Sequence, residues 1–221
     1  MNRIFIGYDS REDVAYRVLR YSLERHSSEP LDIRPLVLQD LDFPRPRDPL
    51  QSTDFTYSRF LVPSLCAFDG IALFMDCDML ALGDIAEVFR LDMQPYALRV
   101  VKHDYTPRST SKMDGQVQTS FPRKNWSSFM LMNCARLGAW TREAVLTRPA
   151  RWLHRFEPIP DEQIGDIPPG WNVLDRYDEH TRLIHYTEGG PWFENYRDHP
   201  YGDVWLRAHA EYRALAEPHP A

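Results

Sequence analysis

Apolar and polar positions along the chain fall into short blocks that alternate between two periods. Arg3 to Gly7 reads as a first strand, followed by the turn Tyr8-Asp9-Ser10 and then by Val14, Ala15, Val18, Leu19 and Ser22 at helical spacing. Ser10 with Asp13 three residues on predicts the helix start, so the opening is the first half of a βαβ unit. Leu31 to Leu38 predicts a strand that Pro35 confines to an edge, and Gln39 to Gln51 a loop. Ser52 and Thr53 are positioned to cap a helix through FTYSRFLVPSLCAF, which Pro63 would kink or end. Ile71 to Met75 shows neither a helical stripe nor alternation, the signature of a strand covered on both faces in a largely parallel sheet. Beyond it the pattern predicts a short helix IAEVFRL after Gly83-Asp84, a strand from Tyr96 to Lys102 and a polar loop from Thr106 to Arg123. A strand from Ser128 to Met132, a helix from Leu137 to Leu146, and short strands at Trp171 to Leu174 and Leu183 to Tyr186 follow. Val204 to Leu215 reads as a terminal helix. The class is therefore α/β: a mixed, mostly parallel sheet flanked by helices, one domain over residues 1–200 with a helical extension over 201–221.

Composition narrows the possible partners. The 221 residues suit one large domain, and the net charge of −6 with no run of Lys or Arg excludes nucleic acid as the main partner. No apolar stretch approaches the roughly 20 residues of a membrane span. The apolar run in MNRIFIGYD is too short for a signal peptide, so a cytoplasmic location is expected. Cys66, Cys77 and Cys134 are odd in number and lack metal-ligand spacing, which fits a reducing compartment and no disulfide framework.

The chemistry is expected at IALFMDCDMLAL, Ile71 to Leu82, where a buried strand runs into Asp76 and Asp78. In extended chain these two side chains point the same way while Cys77 packs away from them. Two carboxylates so close repel unless a cation lies between them, and a hard divalent ion suits the position. A bare Asp-X-Asp reads equally well as a solvated acidic loop. Asp9, at the end of the first strand, is either a hydrogen-bond acceptor for a base or ribose, or a helix cap. Arg59 precedes the aspartate strand and is placed to reach a phosphate held at the metal, although a lone arginine on an amphipathic helix is usually surface charge.

Four stretches in order, GYDS at 7–10, TYSRFLVPSL at 56–65, LFMDCDML with GDIAEVF at 73–89 and HYTEGGPW at 185–192, resemble glycosyltransferase family 8. These are retaining nucleotide-sugar transferases with the GT-A fold. The resemblance implies that Asp76, Asp78 and His185 hold Mn²⁺, or Mg²⁺, against the diphosphate of a UDP-sugar. It also implies that Gly7, Tyr8 and Asp9 cradle uracil and ribose, that the Cys77 backbone passes close to the ribose, and that Arg59 lies near the sugar and diphosphate. The segment Asp161-Glu162-Gln163 matches the one that supplies the residue on the far face of the sugar, so Asp161 and Glu162 are both candidates. The chain departs from the pattern at two places. Gly190 stands where the family has a lysine before Pro-Trp, which leaves phosphate contact to Arg59, Lys102 or the N–H groups of Gly189 and Gly190. Asn125-Trp126-Ser127-Ser128 replaces the family's Phe-Asn-Ser-Gly. The implied acceptor is a saccharide or glycolipid hydroxyl. Two other readings stay open: a non-catalytic nucleotide-sugar-binding module, and an aspartate-nucleophile phosphohydrolase, which would normally carry threonine where this chain has Leu80.

Overall fold

Ile4, Phe5 and Ile6 are all buried, because the strand they form is covered on both faces. A computed structural model of the protein describes residues 1–49, 51–104, 111–112, 116–117, 122–174 and 176–216. In its first half, β1 (Asn2–Gly7), α1 (Asp13–His26), β2 (Leu31–Leu36), α2 (Val62–Leu65), β3 (Ile71–Met75), β4 (Met79–Ala81), α3 (Ala86–Phe89) and β5 (Leu98–Val100) follow one another. A small hairpin of β6 (Ser111–Lys112) and β7 (Gln116–Val117) leads to β8 (Phe129–Asn133), α4 (Arg142–Thr147) and α5 (Ala150–His154). β9 (Ile164–Asp166), β10 (Val173–Leu174), β11 (Leu183–His185) and α6 (Gly202–Ala216) complete the chain.

The main sheet has the order β2-β1-β3-β8-β5-β9. Every strand runs in one direction except β8, which is antiparallel to both β3 and β5. The carboxyl ends of β1, β3, β5 and β9 therefore share one edge, the edge at which open α/β sheets bind ligands. β2 with Pro35 lies at the border of the sheet, where a missing N–H leaves no ladder bond unmade.

A second sheet, β10-β11-β4, is set against that edge. Its antiparallel register places His185 opposite Met79, and Tyr186 N donates to Asp78 O at 2.9 Å. The late histidine is thereby laid alongside the aspartates. Behind it a smaller cluster of Val18, Leu80, Ile184, Tyr186, Val204 and Trp205 joins α6 to α1 and β11. Tyr21 of α1 also donates to Glu211 Oε2 at 3.1 Å. The terminal helix is thus packed onto the domain.

Several elements differ from their pattern. The helix expected from Leu137 begins only at Arg142, because Thr141 Oγ1 accepts from Ala144 N at 3.1 Å, a cap worth about 1 kcal/mol. Leu137 and Trp140 occupy the preceding turn, and Trp140 is buried against Phe60 and Phe156. Their apolar spacing served a core, not a helix face. The long helix expected through Phe55 is a 3-10 turn, Ser58–Leu61, running into the four residues of α2. Pro63 sits in the first turn of α2, where its absent N–H is harmless, and Ala67 and Phe68 at φ 52° and 55° end the helical path. The start of α1 is prepared by Asp9, which caps a 3-10 turn at Ser10–Glu12, so Ser10 is not the cap. Most of the loop expected from Thr106 to Arg123 lies outside the described residues, as do the last five residues of the expected extension. All three cysteines are buried and free.

Candidate active site

β3 is buried from Ala72 onward, so the chain that leaves it is held firmly as it reaches the aspartates. Asp76 N donates to Ser128 O at 2.9 Å, which ties the turn to the start of β8. Asp76, Asp78 and His185 each present one ligand atom, and these atoms lie within 4.8 Å of one another. His185 Nε2 is 3.2 Å from Asp78 Oδ1, and both side chains are nearly buried. Two carboxylates and one imidazole nitrogen form a donor set that suits a divalent ion with hard to borderline preference. Arg59 Nη1 lies 2.8 Å from Asp76 Oδ1 and donates to Ser127 O at 2.8 Å. The arginine is buried, not a surface charge.

Behind the aspartates Cys77 is fully buried and its thiol donates to Glu12 Oε2 at 3.7 Å. Burial, reinforced by Asp78 and Asp9, pushes the Glu12 carboxyl well above the usual carboxylate range. Burial beside Glu12 and Asp78 likewise pushes the Cys77 thiol up. Asp78, Asp9 and Asp76 thus add to the effect of burial on this fourth carboxyl.

Asp9 is 1% exposed and makes the cap contact: Oδ1 accepts from Arg11 N at 3.0 Å, and Oδ2 accepts from Arg11 Nη2 at 2.7 Å and Asp54 N at 3.2 Å. Burial works against its charge, but the bonds from Arg11 and Asp54 hold its carboxyl below the usual range. The Tyr8 hydroxyl donates to Asp13 Oδ1 at 2.9 Å. At Gly7 a Cβ would stand 2.4 Å from the Phe55 ring, so close packing of that ring requires glycine here. Beyond β11, Gly189 N donates to Tyr186 O, and a Cβ on Gly190 would strike the Trp192 ring. Lys102 Nζ pairs with Asp166 Oδ1 at 3.2 Å. Asp161, 83% exposed, pairs with Arg123 at 2.5 Å, and Glu162 beside it is exposed too. Both precede the amino end of β9, whereas Asp76 and Asp78 follow the carboxyl end of β3.

Three residues to which the sequence reading assigned no role stand near the triad. Asn172 is fully buried, at φ 57°, with Oδ1 2.8 Å from His185 Nδ1. Asn125, at φ 64°, has its Nδ2 buried without a hydrogen-bond partner among the described residues. His103 Nε2 is in the same condition. Burial, with His185 and Arg176 nearby, lowers the His103 pKa to about 4, so it stands neutral beside the triad. Only Asn125 had drawn notice, as part of a segment that departs from the expected pattern.

Residues 21–177 match the family described as glycosyl transferase family 8, a span that includes Arg59, Asp76 and Asp78 and ends before His185. Protein CDI of Arabidopsis thaliana is 45% identical over 224 residues, covering 95% of this chain and 86% of that one. Among solved structures, the galactosyltransferase LgtC in complex with donor and acceptor sugar analogs superposes with a TM-score of 0.62 at 11% identity, covering 95% of each chain. The glycosyltransferase GlyE of Streptococcus pneumoniae TIGR4 gives 0.59 at 15% identity, covering 100% of this chain and 65% of that one. These structural likenesses extend to the GT-A fold as a whole.

Proposed function

This chain belongs to glycosyl transferase family 8, and from that premise we propose that it moves a hexose from a UDP-sugar to a hydroxyl of a saccharide or glycolipid, with retention of configuration. The observation that carries the reading is the convergence of Asp76, Asp78 and His185, brought together from two sheets. Mn²⁺, or Mg²⁺ in its place, is the ion these residues would hold. The chemistry such an ion supplies when bound is stabilisation of the charge that builds on a departing diphosphate, worth several kcal/mol.

The remaining roles belong to the chain itself. Arg59, already fixed by Ser127 O and Asp76, orients a guanidinium at the diphosphate. Lys102 and the Gly190 N–H are the other candidates for the phosphate contact that the family assigns to lysine. Asn125 Nδ2, buried and lacking a partner among the described residues, is suited to donate to a sugar hydroxyl, since an unmet buried donor costs about 1–3 kcal/mol until a ligand satisfies it. Gly7, Tyr8, Asp9 and the Cys77 backbone form the base and ribose end, with Asp9 acting through the rigid Arg11 turn. Asp161 and Glu162 are the carboxylates proposed for the far side of the sugar. Among the described residues no helix is long and apolar enough to cross a membrane.

A thermal-shift panel tests the assignment. UDP should raise the melting temperature only with Mn²⁺ present, since a ligand at 100 times its Kd adds about 2.7 kcal/mol to the native state. Equal responses to GDP and ADP would overturn the uridine assignment. Stabilisation by UDP with no turnover of any UDP-sugar would favour the binding module.

A further inference from the structure

His185 has two ring nitrogens, and only one can serve as a metal ligand at a time. Nε2 is the one 3.2 Å from Asp78; Nδ1 is 2.8 Å from Asn172 Oδ1. What the other end of that asparagine touches determines where the proton sits. Asn172 Nδ2 donates to Ser128 Oγ at 3.0 Å, and Ser128 Oγ donates to the main-chain carbonyl of Asn125 at 2.6 Å.

The chain of bonds has one direction. A carbonyl oxygen only accepts, so the Ser128 proton is committed to Asn125 O. The serine oxygen can then only accept from Asn172, which turns the amide nitrogen towards Ser128 and the amide oxygen towards His185. An amide oxygen has no proton to give, so Nδ1 must carry the hydrogen. With the amide reversed, the single serine proton would turn to Asn172, and two oxygens would face each other at 2.6 Å with nothing between them.

Local structure keeps the relay in register. Trp171 stacks on Phe129, with ring centroids 6.4 Å apart and an interplanar angle of 4°, and the left-handed turn at Asn172 aims its side chain inward from the start of β10. β10 pairs with β11, on which His185 lies.

We propose that Asn172 is a positioning residue that locks His185 in the tautomer whose Nε2 lone pair faces Asp76 and Asp78, and so prepares the imidazole as a metal ligand. The proposal rests on the metal reading above. Partners of this kind typically change metal affinity by 10–100-fold when lost.

The test uses the full chain with two substitutions. Asn172→Gly suits the left-handed backbone and removes the acceptor; Asn172→Asp keeps an acceptor facing Nδ1. Metal-free wild-type protein labelled with ¹⁵N in histidine, at a pH where the imidazole is neutral, should show a protonated Nδ1 and an unprotonated Nε2 for His185. Mn²⁺ affinity, read from the loss of the free-ion electron paramagnetic resonance signal, should fall by about tenfold or more in Asn172→Gly and by less in Asn172→Asp, which keeps the acceptor at Nδ1 but loses the donor to Ser128. A protonated Nε2 in the neutral wild-type ring overturns the proposal, as does a folded Asn172→Gly that binds Mn²⁺ as tightly as wild type. Should Asn172→Gly fail to fold, the wild-type tautomer still decides. Should wild-type protein bind no Mn²⁺, the metal reading fails, and the ¹⁵N spectrum reports separately on Asn172.

Discussion

Arg59 Nη1 and Asp76 Oδ1 lie 2.8 Å apart, with the two side chains only 7% and 13% exposed. A pair so enclosed matters less for what it adds than for what its loss leaves behind. Arg59→Ala leaves Asp76 beside Asp78 without the guanidinium, and the metal-free protein should lose about 3 kcal/mol of stability. Mn²⁺ should recover part of that loss, stabilising the variant more than it stabilises wild type. Urea denaturation with Mn²⁺ and with a chelator measures both numbers. An equal loss in the two conditions would show that the arginine acts by packing over Phe55 and Phe74, whose ring centroids are 5.2 and 5.0 Å from its guanidinium carbon.

Asp78 belongs to a crowded set of carboxyls that includes Asp76, Glu12 and Asp9. Asp78→Asn keeps the shape and removes one charge, so stability and function should move in opposite directions. Without metal the variant should be as stable as wild type or up to about 1 kcal/mol more stable, because functional sites hold such repulsion at a cost. Its transferase activity should fall by roughly 100-fold, equivalent to about 2.7 kcal/mol of transition-state stabilisation. Calorimetry and a UDP-release assay on one preparation check the pair, and unchanged turnover would remove Asp78 from the metal site.

Glu12 supplies a pH signature. It is 0% exposed, and burial followed by Asp78 and Asp9 raises its pKa well above the ordinary 4.5. A carboxyl raised in the folded protein binds its proton more tightly there than in the unfolded chain. Its contribution to stability is fully present below the unfolded pKa and is lost as pH rises through the folded one. Glu12→Gln, which cannot ionise, should therefore gain on wild type from about pH 5 upward and level off once the folded pKa is passed. Urea midpoints across that range in the presence of chelator measure the difference. A difference that does not change with pH would mean that the glutamate is already ionised in the fold.

Much of the architecture was legible because burial imposes its pattern within a single element. Ile71 to Met75 had to be apolar throughout to lie between two covered faces, and Pro35 had to be at an edge. The terminal helix at Gly202–Ala216 was legible for the same reason. The pattern misled where apolar spacing came from something other than a helix face: Leu137 and Trp140 fill a core from a turn. Four ordered stretches, and not any single residue, carried the family.

By itself the sequence determined the order of the main strands and of the first and last helices, though not β4, β9 or α5, together with the position of two carboxylates at a strand end and the family to which the chain belongs. Each depends on neighbours along the backbone, which a linear pattern records. Only the tertiary structure decided that Arg59 meets Asp76, that Asp9 is held by Arg11 and Asp54, that Glu12 lies under Cys77, and that Asn172 stands behind His185. The meeting of Asn172 with His185 follows from the register of β10 with β11, while the others arise where Arg59, Asp54 and Glu12 pack around the ends of the paired strands β1 and β3. A strand's own pattern fixes which face it buries, but which distant strand it pairs with is settled only when the sheets assemble.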